Sequence, residues 1–109
     1  MAMIKQVYEG EGVALTGRDG AEALVLFDGF GGDGSPTEIV RLRSVEGETR
    51  SEYESATGEG VVLELDGSRV DVLFHGLVGR GSRQINLRIH APQDVKIESA
   101  DARYDEVEG

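Results

Sequence analysis

Cysteine is absent from this 109-residue chain, so neither a disulfide framework nor a thiolate metal site is available to it. Long apolar runs are missing as well. No stretch approaches the roughly 20 residues a helix needs to cross a bilayer, and the opening MAMIKQVYEG carries no signal-peptide core. A cytoplasmic location, with no membrane partner, is the expectation. Aromatic residues are few, at 6% against 39% hydrophobic overall, which implies a thin core of Val, Leu and Ile. Two prolines against sixteen glycines point to tight turns rather than helices. Positive charge is scarce too: 11 Lys and Arg face 21 Asp and Glu, a formal charge of −10. The excess is spread along the chain, with five basic and ten acidic groups in 1–53 and six and eleven in 54–109. It is therefore not a detachable acidic tail. Such a surface opposes broad affinity for nucleic-acid phosphates and suits either plain solvation or a basic partner.

What is present is an internal duplication. Gly10-Glu11-Gly12-Val13-Ala14-Leu15 returns as Gly58-Glu59-Gly60-Val61-Val62-Leu63, an offset of 48. From Asp19 the offset is 47, matching Asp19-Gly20 with Asp66-Gly67 and Val25-Leu26-Phe27 with Val72-Leu73-Phe74. The glycines continue in step, Gly29 with Gly76 and Gly34-Ser35 with Gly81-Ser82, and Arg41 falls on Arg88. One compact domain, 1–109, thus divides into two repeats of about 1–50 and 51–109.

Each repeat reads as an antiparallel meander. Met3 to Tyr8, Gly12 to Thr16, Ala21 to Phe27 and Glu38 to Ser44 are the strands of the first. Val61 to Leu65, Arg69 to His75 and Gln84 to His90 are those of the second. Ala23, Val25 and Phe27, and likewise Val70, Val72 and Phe74, alternate toward a core. Val40 and Leu42 should share the core face with Leu87 and Ile89, leaving Arg41 and Arg43 exposed. Asp19-Gly20 and Asp66-Gly67 are turn signals, since glycine tolerates positive φ and aspartate bonds its own backbone. Glu46 to Tyr53 is polar and reads as an edge strand or a linker. Ala91-Pro92 ends the strand from Gln84, and Ser99 is placed to cap a short C-terminal helix through Asp105. The fold class is all-β: two meanders forming a pseudo-dimeric sandwich or small barrel, with that helix appended.

The run from Gly58 to Tyr104 resembles the carbon storage regulator family of small bacterial RNA-binding proteins. The resemblance rests on Gly58-Glu59 before an apolar strand, a long strand ending Leu73-Phe74, and a loop containing Gly81. Its most specific part is Gln84-Ile85-Asn86-Leu87-Arg88-Ile89-His90-Ala91-Pro92, followed by Asp94-Val95 and a tyrosine beyond. It covers roughly 47 residues and, through the duplication, extends weakly to the first repeat. Family members are homodimers with intertwined strands, so the resemblance implies a single-chain pseudo-dimer and an mRNA-binding regulator of translation. The family grips RNA with a Leu-Thr-Arg-Arg first strand and an arginine ending the last strand. Here those places hold Gln6, Val7, Tyr8 and Glu9, or Glu54, Ser55, Ala56 and Thr57, with Ser99 or Glu98 at the last.

Other signals are weak. Gly29-Phe30-Gly31-Gly32-Asp33-Gly34 satisfies GxGxxG but leads through Ser35-Pro36 into a strand, not a helix N-terminus. Asp28, Asp33 and Glu38 lack the spacing of a calcium loop. His75 and His90 have no second ligand nearby, and Ser35, Ser82 and Ser99 no nucleophile context. No enzyme, metal or cofactor is indicated. Arg41, Arg43, Arg80, Arg83 and Arg88 remain as candidate RNA- or anion-binding residues, or as cross-strand partners of Glu38, Asp71 or Asp94. Two functions stay open: an RNA-binding regulator, or an acidic module binding a basic protein. Either fits a monomeric pseudo-dimer or a higher oligomer.

Overall fold

The computed structural model describes residues 2–32 and 38–101. They form nine strands and no helix: β1 (Ala2–Val7), β2 (Glu11–Thr16), β3 (Glu22–Phe30), β4 (Ile39–Glu46), β5 (Thr49–Ala56), β6 (Gly60–Leu65), β7 (Ser68–Leu77), β8 (Ile85–His90) and β9 (Lys96–Asp101). Two antiparallel sheets result, ordered β1-β8-β7-β6 and β5-β4-β3-β2-β9. The strand order records an exchange. β1 leaves its own repeat to pair with β8, and β5 leaves the second repeat to pair with β4. The four-stranded sheet therefore takes three strands from the second repeat and one from the first, and the five-stranded sheet three from the first and two, β5 and β9, from the second. The exchange is what lets two thin repeats share one core.

The corner that permits the exchange is the Gly-Glu pair. Gly10 and Gly58 sit at φ 89° and 92°, a region open to glycine. Their N–H groups donate to the Phe27 and Phe74 carbonyls. Glu11 Oε1 then accepts the Tyr8 N–H at 2.8 Å, and Glu59 Oε1 the Ala56 N–H at 2.9 Å. The same two residues thus close the same turn twice. Gly12 and Gly60 follow, and a Cβ on either would collide with the carbonyl oxygen of Val25 or Val72. The glycines read as turn formers are in part close-approach sites.

The hairpin turns differ, and one holds the other. Asp66 and Gly67, at φ 52° and 80°, make a two-residue turn between β6 and β7. The first repeat has five residues, 17–21, between β2 and β3, of which Gly20 takes φ 94°. Asp66 Oδ2 accepts the N–H groups of Asp19 at 2.8 Å and Ala21 at 3.3 Å, so the second turn clasps the first.

Val13, Leu15, Val25, Phe27, Val40 and Leu42 face Val61, Leu63, Val72, Phe74, Leu87 and Ile89 across the sandwich, all buried. Phe30 meets Phe27 edge-on at 5.1 Å between ring centroids. Both long strands carry one bulge, between Phe27 and Gly29 and between Phe74 and Leu77.

Register corrects the repeat alignment beyond that bulge. Leu26 lies opposite Arg43 and Leu73 opposite Arg88, so the counterpart of Arg88 is Arg43 and not Arg41. The segment between the long strand and the next runs two residues further in the first repeat, and matching letters across it are displaced in space. Because the slip is two, each residue keeps its face.

Glu46 to Tyr53, left open between an edge strand and a linker, is a turn at Gly47 followed by the edge strand β5. The helix expected from Ser99 does not begin there. Ser99, Ala100 and Asp101 belong to β9 and lie opposite Val13, Gly12 and Glu11. A partner strand satisfies the backbone groups a cap would have served, which overrides the local signal. The rest of that expected helix lies outside the described residues.

Candidate partner-binding surfaces

The five candidate arginines fall into three places. Arg43 lies on the outer face of the five-stranded sheet, half-buried, with Nε 3.0 Å from Asp28 Oδ2 and Nη2 donating to Oδ1 at 3.3 Å. The bulge at Asp28 turns that carboxylate onto the outer face beside it. Arg41, two residues earlier on the same face, is exposed and lies opposite Glu54. It reaches over Gly29, where the Glu9 carboxylate also sits, each within about 3.5 Å of the point a Cβ would occupy.

Arg83 comes to the same Glu9 from the segment between β7 and β8. Its Nη2 lies 3.3 Å from Glu9 Oε1, and its guanidinium stacks 5.4 Å from the Phe30 centroid. Arg41, Arg83 and Glu9 therefore gather at one end of the sandwich, beside exposed Tyr8 and Ile39. Arg80 is exposed in the same segment as Arg83. Of the expected partners Glu38, Asp71 and Asp94, the last two are taken by other arginines. Asp71 takes Arg69 at 2.8 Å, which holds that guanidinium more firmly protonated, and Asp94 takes Arg18 at 3.7 Å.

Arg88 stands apart on the outer face of the four-stranded sheet. It lies between Ile4 of β1 and Leu73 of β7, with no ion-pair partner among the described residues. Ile4 is 48% exposed and Val62 55% exposed on that face, where residue alternation would place polar groups. Beside them Arg69, Asp71, His90, Ala91 and Pro92 line a shallow hollow of about 340 Å³. This apolar face was not legible, since Val62 and Ile4 read as ordinary strand residues.

A third contact joins the first and last strands. Lys5 Nζ donates to Ser99 Oγ at 3.3 Å, linking β1 at the edge of one sheet to β9 at the edge of the other. His75 and His90 are on neighbouring strands, with His90 opposite Asp71. No group of three or more metal-binding side chains occurs among the described residues. The Gly31 N–H donates to the Ile39 carbonyl, while Asp33, Gly34 and Ser35 lie outside the described residues. No described helix is long and apolar enough to cross a membrane. No family model, curated protein or solved structure matches this chain.

Proposed function

We propose that the chain is a non-enzymatic binding protein of carbon storage regulator type, in which two repeats in one chain replace a homodimer, and that it engages a basic protein partner rather than RNA. The exchange of β1 and β5 between repeats supports the first half of this reading, because the resemblance implies intertwined strands. The charge at the expected grip carries the second. The first-strand positions hold Gln6, Val7, Tyr8 and Glu9, or Glu54, Ser55, Ala56 and Thr57, and the last-strand position holds Ser99 or Glu98, so no cation stands where the family presents several. Arg43 and Arg83 are engaged by Asp28 and Glu9, and the remaining surface is acidic. A net −10 charge attracts basic proteins and repels phosphates. Cytoplasmic residence and a monomeric pseudo-dimer belong to the same proposal.

RNA binding is the second reading. It is favoured by the Lys5–Ser99 contact, which brings a cation beside the last-strand position, and by Arg88, which has no ion-pair partner among the described residues. An electrophoretic shift with a GGA-bearing RNA hairpin at two salt concentrations separates the readings. The protein-partner reading expects no shift at micromolar protein. Tight binding that falls steeply with salt would replace it with the RNA reading.

A further inference from the structure

The two sheets are equivalent strand for strand except at one edge. In the five-stranded sheet, β2 is covered by β9, with Thr16, Leu15, Ala14, Gly12 and Glu11 opposite Lys96, Ile97, Glu98, Ala100 and Asp101. In the four-stranded sheet the matching strand, β6, has no neighbour beyond it among the described residues. The chain passes from β4 directly into β5 through the Gly47 turn, so the first repeat supplies no counterpart of β9. Antiparallel ladders alternate, and the Phe74 N–H donating to the Glu59 carbonyl sets the phase. Val61, Leu63 and Leu65 bond inward to β7, and the backbone groups of Gly60, Val62 and Glu64 point outward. Natural sheets blunt such an edge with lysine or proline. This one presents Val62, 55% exposed, between Glu59 and Glu64.

We infer that the β6 edge is a strand-addition site for an extended basic segment of a partner protein, which completes the four-stranded sheet as β9 completes the other. The inference rests on the protein-partner reading above and gives it a place and a register. Transferring the β2–β9 register through the repeat puts the residue at the place of Lys96 opposite Glu64 and that of Ile97 opposite Leu63. The residue at the place of Glu98 faces Val62, that of Ala100 faces Gly60, and that of Asp101 faces Glu59. The fitting strand has a basic residue at each end, apolar residues in its second and third places, and a small residue before its last. Charge selects it over a second copy of this chain, whose own β6 would bring Glu59 and Glu64 into an already −10 surface.

The probe is a synthetic peptide of residues 93–101 carrying Glu98→Val and Asp101→Lys, titrated into the full chain and followed by amide chemical shifts. The expected result is saturable shifts concentrated on β6, weakened about fivefold by Glu64→Lys. Val62→Pro should abolish binding while leaving the fold intact, because it removes an outward donor that β7 does not use. Val62→Lys should also weaken binding and serves if the proline variant unfolds. Shifts spread over other acidic surfaces would overturn strand addition while leaving the basic-partner reading standing. Self-association through β6 without peptide would overturn the choice of occupant. No binding by this peptide, when unrelated basic proteins do bind, would overturn the site. No binding by either would remove both.

Discussion

The outer faces of the two sheets are built from equivalent rows and have opposite characters. In the five-stranded sheet the row Glu52, Arg43, Leu26, Gly12 and Ala100 is closed, with Leu26 fully buried and Arg43 held by Asp28. In the four-stranded sheet the corresponding row Ile4, Arg88, Leu73 and Gly60 is open. Leu73 is half-exposed, Ile4 is largely in solvent, and His75 stands where the first repeat has Asp28. Two copies of one plan have thus diverged into a face finished within the chain and a face left for something else. Fold constrains the shared core, while the outer rows and edges were free to specialise.

Substitutions at matched positions sharpen that contrast. Leu26→Ala should cost about 2–4 kcal/mol in urea denaturation, and Leu73→Ala no more than about half of it. Equal losses would erase the distinction between the faces. Gly12→Ala and Gly60→Ala should break the symmetry least, each losing about 1–3 kcal/mol, since each new Cβ meets the same carbonyl in its own repeat. The clasp between turns is one-sided. Asp66→Ala should therefore cost about 1–3 kcal/mol by leaving two backbone donors without their carboxylate, against about 0.5 kcal/mol or less for Asp19→Ala. Smallest is the arginine pair. Arg43→Ala should lose about 1 kcal/mol through Asp28, and Arg88→Ala should fall within about 0.5 kcal/mol of the parent.

Much of the fold was legible because strand alternation and turn chemistry are local. Val25, Phe27, Val72 and Phe74 face the core as their period requires, and the Gly-Glu recurrence marks two identical corners. Other features were not legible, each for a non-local reason. Ser99 carries a cap signal, but β2 claims its backbone. Arg41 and Arg88 match as letters, but a two-residue difference in the preceding segment aligns Arg43 with Arg88 in space. The open β6 edge is invisible in Gly60 to Leu65 itself, because it depends on where β9 pairs and on what the first repeat lacks. Among the candidate arginines, the sequence could not separate Arg43 and Arg83, already engaged by carboxylates, from Arg88, which no described carboxylate engages. That difference depends on a bulge at Asp28 and on Glu9 arriving from a distant turn.

β2 is covered by β9, whereas no described strand covers the equivalent β6, and residue-resolved amide hydrogen exchange tests this difference most directly. Protection is expected at Gly12, Ala14 and Thr16 and near-unhindered exchange at Gly60, Val62 and Glu64, while Val61, Leu63 and Leu65 exchange slowly. Equal protection of the two triplets in the isolated chain would contradict it.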